Sequence, residues 1–203
     1  MGAAKLISIV FHPLLMTTYL VIVLIFFFPA MLMIRPDNRL VILGLIFVFT
    51  FVLPALNVLM LFAFGNITSL TLGARQERIV PFVFISVLYI LFTFLFYYKL
   101  PFSSNFNRLM LIITCMVVIS LIITLFYKIS IHSLAMCGAI GILLPLNKVA
   151  EQVDLLWPTV MVIVMAGVVM SARLLIGAHT PREVMYGSLV GFLIGFSGMI
   201  LLF

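Results

Sequence analysis

Continuous apolar runs recur along the whole of this 203-residue chain, separated by short polar turns. Each is about 20 residues long, which is what one helix needs to cross the hydrocarbon core of a bilayer. Inside lipid every backbone N–H and C=O must be paired within the protein, so only helices or closed barrels span it. Barrel strands alternate apolar and polar residues with a period of two. These runs do not alternate, so they read as helices. Hydrophobic residues make up 66% of the chain and charged residues 8%, against about 45–50% apolar in an ordinary soluble domain. The expectation is an all-α integral membrane protein, with residues 1–203 forming a single bundle of about six or seven transmembrane helices and no soluble domain. No cleavable signal is expected, because FFFPAMLM offers no small-x-small site and the first run is long enough to span. The net charge of +6 comes from eleven basic residues scattered over short loops, a pattern that does not suggest nucleic acid. Cys115 and Cys137 both fall inside apolar runs and read as small core residues, not as a disulfide or metal pair.

In chain order, residues 1–11 are an apolar lead carrying Lys5, and His12 precedes Pro13, which suits a helix start. His12 reads as an interfacial residue. Helices are predicted over residues 13–34, 40–64 with a kink at Pro54, 81–99, 108–127, 130–146, 157–175 and 181–203. Pro145 is expected to end the fifth, before a turn at 146–154, and residues 101–107 turn the chain between the third and fourth. Three polar clusters stand out: RQERIVP at 75–81, KISIHS at 128–133, and 171–191, which reads SARLLIGAHTPREVMYGSLVG. Two predicted helices separate the first cluster from the second, and two more separate the second from the third. All three therefore fall on one membrane face, as a single site requires. No repeat, P-loop or dinucleotide fingerprint is present, and Asn66-Ile67-Thr68 is a sequon of a kind common by chance.

The clusters pool Arg75, Glu77 and Arg78; Lys128, Ser130 and His132; and Ser171, Arg173, His179 and Glu183. Ionisable residues near membrane depth are functional-site candidates. Hard cations want clustered carboxylates and zinc wants three or four His, Cys or acidic ligands; neither set is here, so no metal and no cofactor are expected. Guanidinium forks match phosphate oxygens, and imidazole serves as nucleophile or as acid and base near neutral pH. Thr180–Glu183 (TPRE) also reads as a helix capping box, a role that competes with catalysis for the Glu183 carboxylate. Arg75 and Arg78 also suit interfacial anchors, and Lys128 a snorkelling side chain. Gly187, Gly191 and Gly195 recur every four residues, a face that lets helices pack closely.

On these residues the chain resembles the type-2 phosphatidic acid phosphatase family of membrane lipid phosphatases. That family's third motif runs Ser-Arg, five residues, His, three residues, Asp. Here Ser171 and Arg173 are split by Ala172, five residues lead to His179, and three more lead to Glu183 in place of Asp. Ser130-Ile131-His132 resembles the end of the second motif. RQERIVP stands where the first motif, Lys, six residues, Arg-Pro, belongs, with Arg78 and Pro81 separated and no Lys seven residues before Arg78. The resemblance covers residues 75–191. It implies His179 as nucleophile forming a phosphohistidine, Glu183 orienting it, and His132 protonating the leaving oxygen and then activating water. Arg173, Arg78 and Ser130 would hold phosphate oxygens, with Arg75 and Lys128 as further candidates, and which of Arg75 and Arg78 stands for the first motif is left open.

The implied activity is metal-independent hydrolysis of a lipid phosphate or diphosphate: an isoprenyl diphosphate, a phosphatidate or a phosphatidylglycerophosphate. A lipid phosphotransferase on the same scaffold, or a lipid-phosphate binder or transporter without turnover, are the alternatives. Partners are the lipid substrate and the bilayer, with no nucleic acid. The site face carries Lys5, Arg75, Arg78, Lys128, Arg173 and Arg182, and the other face Arg35, Arg39, Lys99, Arg108 and Lys148. With the phosphate-binding residues discounted, the opposite face is the more basic, which by the positive-inside rule puts the site on the periplasmic or extracellular side of a bacterial inner membrane.

Overall fold

The computed structural model describes residues 2–100, 102–149 and 155–203, with the backbone alone for Val149. The described residues contain helices, turns and no strand. In order they are α1 (Gly2–Val10), α2 (Pro13–Phe27), the short α3 (Pro29–Leu32), α4 (Arg39–Phe47), α5 (Leu53–Ala63), α6 (Arg75–Tyr98), α7 (Ser104–Phe126), α8 (Ile131–Val149), α9 (Leu156–Leu175) and α10 (Pro181–Leu202). Helices α4 and α5 join through a π turn at Val48–Val52, so Pro36–Ala63 forms one span. Among the described residues six helices are long and apolar enough to cross a membrane, and α1 with α2, bent by 59°, makes a seventh if the pair is one span. The protein is an all-α membrane protein, and the expected six or seven helices are there.

Local chemistry explains where the helices depart from the sequence-based boundaries. Within the lead, Gly2–Val10 is itself a helix, α1, which packs on α9. His12 is extended (φ −63°, ψ 135°), as a residue before proline prefers, and Pro13 opens α2 at a position that needs no N–H. Pro54 does not simply kink its span; the π turn just before it takes up the proline ring's clash with the preceding turn. Helix α6 begins at Arg75, six residues before Pro81. Glu77 in its first turn accepts the Thr68 N–H at 3.1 Å and the Thr68 hydroxyl, which ties down the preceding loop. Helix α8 runs through Pro145 to Val149. Near its end Asn147 Nδ2 donates to Leu143 O at 2.9 Å and to Thr159 Oγ1 of α9 at 2.7 Å. The predicted turn at 146–154 lies partly outside the described residues, as does Pro101 of the turn at 101–107.

Helix α8 is the least apolar of the spans and the most buried. Lipid is as apolar as leucine, so in a membrane small residues and close backbone packing decide what goes inside. Helix α8 packs most extensively on α10. A Cβ at Gly187, Gly191 or Gly195 would collide with the backbone carbonyl of Ser130, Leu134 or Gly138, and one at Gly141 with the backbone of Phe192 and Phe196. The two helices thus touch backbone to backbone, and the Ser130 N–H donates to the Glu183 carbonyl at 3.0 Å where both begin. Large apolar side chains such as Leu91 and Phe94 of α6, Met161 and Val164 of α9 and Leu193 and Ile200 of α10 remain exposed and form the surface that meets lipid.

Candidate active site

The turn from α9 into α10 is built from two helix-end devices placed back to back. At the end of α9 the Ala178 N–H donates to Arg173 O at 3.2 Å and the Gly177 N–H to Leu174 O at 3.0 Å, with Gly177 left-handed at φ +65°. This is a Schellman closure with glycine at its usual place. Two residues on, Thr180 caps α10, its hydroxyl accepting the Glu183 N–H at 3.3 Å, and Pro181 takes the first helical position. The spacing from Arg173 to Glu183 is therefore set by the closure of one helix and the cap of the next. A Cβ on Gly177 would meet nothing within 4 Å, so only its φ is at stake. Gly177→Ala is expected to lose about 1–2 kcal/mol of stability and Gly177→Asn less, read by thermal unfolding in detergent; an alanine variant as stable as the parent would contradict this account of the turn.

The Glu183 carboxylate is turned to His179. His179 Nδ1 lies 2.6 Å from Glu183 Oε2, and since a carboxylate only accepts, Nδ1 carries the proton and Nε2 the lone pair. His179 is 7% exposed. Burial pushes its pKa down to about 4; the hydrogen bond it donates to Glu183 opposes this, and the charges of Arg78 and Arg173 add to the fall. The neutral form of the imidazole is thus favoured, with Nε2 its free base. Lys128 Nζ stands 3.9 Å from Glu183 Oε2 and donates to Ala178 O at 3.2 Å, so it braces the turn.

His132 sits in the first turn of α8. Its Nε2 donates to the Ser8 carbonyl of α1 at 3.0 Å, which fixes the tautomer and leaves Nδ1 as the free nitrogen. Ser130 is fully buried, its hydroxyl accepting from the Ser133 N–H at 3.4 Å and hydroxyl at 2.9 Å, so it caps α8.

Arg78 and Arg75, one turn apart on α6, go different ways. Arg78 is 6% exposed; its Nε donates to Leu72 O at 2.7 Å and its Nη1 to Ile129 O at 3.2 Å. Three of its five N–H donors remain. Arg75 Nη1 donates to the Thr124 carbonyl at 3.3 Å and to that of Leu125, capping the end of α7. The Arg173 Nε is buried with no hydrogen-bond partner.

Arg78, His132, Arg173 and His179 line one cavity of about 440 Å³. Its remaining wall is mostly apolar, from α1, α2, α5, α6 and the loop at Leu70–Leu72. Ser130, Arg75, Lys128 and Glu183 lie around it without lining it. One residue of the wall was not anticipated: His12, read from the sequence as interfacial, lines the same cavity. Counting helices backwards from RQERIVP places residue 12 on the site face, and that was the available signal. Among the described residues no group of three or more His, Cys, Asp or Glu side chains is placed to hold a metal.

Two histidines and two guanidinium groups at the ends of α6, α8, α9 and α10 form a constellation suited to a phosphoryl group. Residues 124–203 match the PAP2 superfamily. The match contains Ser130, His132, Arg173, His179 and Glu183; Arg78, Arg75 and His12 lie in residues 1–123, outside it, and Arg78 and His12 reach the cavity through the fold. No curated protein and no solved structure matches the chain. The PAP2 match and the apolar helices together support a membrane phosphatase at the level of the family.

Proposed function

We propose that this protein hydrolyses a lipid phosphate or diphosphate through a phosphohistidine on His179. The observation that carries the reading is the His179–Glu183 pair, which leaves Nε2 unprotonated in a cavity that also holds two guanidinium groups, one with a buried Nε lacking any partner. The Nε2 lone pair attacks phosphorus and the bond to the leaving oxygen breaks. His132, protonated at Nδ1 as well as Nε2, gives its Nδ1 proton to that oxygen. Water then attacks the phosphohistidine, its proton passes to His132 Nδ1, and the P–N bond breaks to release inorganic phosphate. Glu183 stabilises the positive charge that His179 acquires, and Arg78 and Arg173 offset charge on the transferring group. Splitting one displacement into two in this way needs no metal. The apolar wall supports a lipid substrate, as does a second cavity of about 90 Å³ that shares Pro13, Leu14, Phe82, Ile85 and Ile131 with the first and is lined almost wholly by apolar side chains. The charge difference between the faces supports a site on the periplasmic side of a bacterial inner membrane.

The test is release of inorganic phosphate by the purified protein in detergent, with chelator present, from isoprenyl diphosphate, phosphatidate and phosphatidylglycerophosphate. Release that survives the chelator is the expected result. Release that stops with chelator and returns with a divalent cation would remove the metal-free mechanism. Release only when a lipid acceptor is added would make the protein a phosphotransferase.

A further inference from the structure

The break between α1 and α2 puts a third histidine into the site, and nothing in the reaction described above uses it. His12 lines the cavity with Arg78, His132, Arg173 and His179. Its ring stands edge-on to that of His132, centroids 5.9 Å apart, with Phe51 on another side at 6.4 Å. Its Nδ1 accepts the Leu14 N–H at 3.3 Å, so His12 is itself the N-cap of α2. That bond decides the tautomer: Nδ1 keeps its lone pair and the proton of the neutral ring sits on Nε2. The site therefore holds a fixed N–H donor beside the group that serves as acid.

Place along the reaction axis follows from the neighbours. In a displacement at phosphorus the attacking and leaving atoms lie roughly in line. His179 is the attacking group, so the acid, His132, marks the opposite, leaving-group end. A donor next to His132 meets what is attached to the departing oxygen more readily than the oxygens of the transferring phosphoryl. The alcohol that leaves an isoprenyl monophosphate carries one oxygen, which takes the proton of His132, and has no further acceptor for His12. A phosphate monoester leaving group carries several anionic oxygens.

Resting on the hydrolase reading, we propose that His12 is a leaving-group ligand, its Nε2–H donating to the second phosphate, so that it favours lipid diphosphates over lipid monophosphates. The break in the first span is then part of the site: Pro13 forces the extended backbone at His12, and the same residue that starts α2 reads the substrate.

The variant that tests this must keep the cap. Ser and Asn cap helices well and carry no imidazole, so His12→Ser and His12→Asn separate a structural role from a binding one. A hydrogen bond to a charged group corresponds to about a 10- to 100-fold effect. In both variants the ratio of kcat/KM on isoprenyl diphosphate to kcat/KM on the corresponding monophosphate is expected to fall by that factor, with thermal unfolding close to the parent. Inorganic pyrophosphate and orthophosphate are then compared as stabilisers of the parent and of His12→Ser in thermal unfolding, a readout that needs no turnover; pyrophosphate is expected to lose its advantage in the variant. An unchanged substrate ratio together with unchanged pyrophosphate binding would overturn the role of His12 and leave the hydrolase reading standing. A parent protein that releases no phosphate but binds pyrophosphate in a His12-dependent manner would overturn hydrolysis and keep His12 as a diphosphate ligand.

Discussion

His179→Ala is expected to lower phosphate release by on the order of 10⁴-fold or more, since losing a nucleophile in a site whose groups act as a unit removes nearly the whole advantage of the covalent route. The same substitution should abolish an acid-labile, base-stable phosphoenzyme that the parent forms when quenched during turnover. Both effects follow from one hydrogen bond: Nδ1 donates to Glu183, so Nε2 is the only nitrogen able to attack. Binding is expected to survive, because Arg78 is held by the carbonyls of Leu72 and Ile129, independently of His179. Glu183→Gln is the companion variant. It keeps an acceptor near Nδ1 but removes the negative charge that stabilises the imidazole once it is phosphorylated. A loss of about 10²–10⁴-fold is expected, by analogy with the orienting carboxylate of hydrolytic triads. An alanine variant at 179 that still turned over at the parent's rate would sink the mechanism. One that kept a labelled phosphoenzyme would move the nucleophile to another residue.

The second large effect is expected far from any ligand, at Gly191. A Cβ there would run into the carbonyl, carbonyl carbon and Cα of Leu134, and a helix backbone has no rotamer by which to give way. Gly191→Ala is therefore expected to push α10 off α8, at a cost of about 1–3 kcal/mol for the forced overpacking. The consequence for chemistry is larger. Helix α8 carries His132 and α10 carries Glu183, and they are registered where they begin by the Ser130 N–H to Glu183 C=O bond. Moving them apart by about 1 Å would misplace acid and nucleophile and lower turnover by roughly 10²-fold. Gly167→Ala in α9 is the control, since a Cβ there meets nothing within 4 Å and alanine is the better helix former. Thermal unfolding and phosphate release measured on both variants decide the matter. Equal behaviour of the two would mean that the α8–α10 seam does not hold the site together.

Much of this was legible in the chain because helices of membrane length alternate direction. Three polar clusters separated by pairs of spans had to share a face, and side chains from all three line the cavity. The Arg173–Glu183 spacing was legible for a similar reason, as it is set by the end of one helix and the start of the next. The choice between Arg75 and Arg78 was not, because both sit in the first turn of α6 and only the neighbouring helix ends separate them: Thr124 and Leu125 of α7 take one, and Leu72 and Ile129 take the other. Ser130 could be placed in the sequence, but not the Ser133 hydroxyl that occupies it. His12 was the hardest, since no spacing motif joins it to the other histidines and its position depends on how sharply the first span bends.

The burial of α8 also bears on how the chain enters a bilayer. Its glycine face is covered by α10, which emerges later in synthesis with α9 in between. Until α10 arrives, the least apolar span has Met116 of α7 against Gly138, but no helix against the backbone at Gly141 and Leu134. The site is then completed only when α10 docks and brings Glu183 beside Ser130, so that the two histidines of the proposed reaction first share a cavity once α10 is in place.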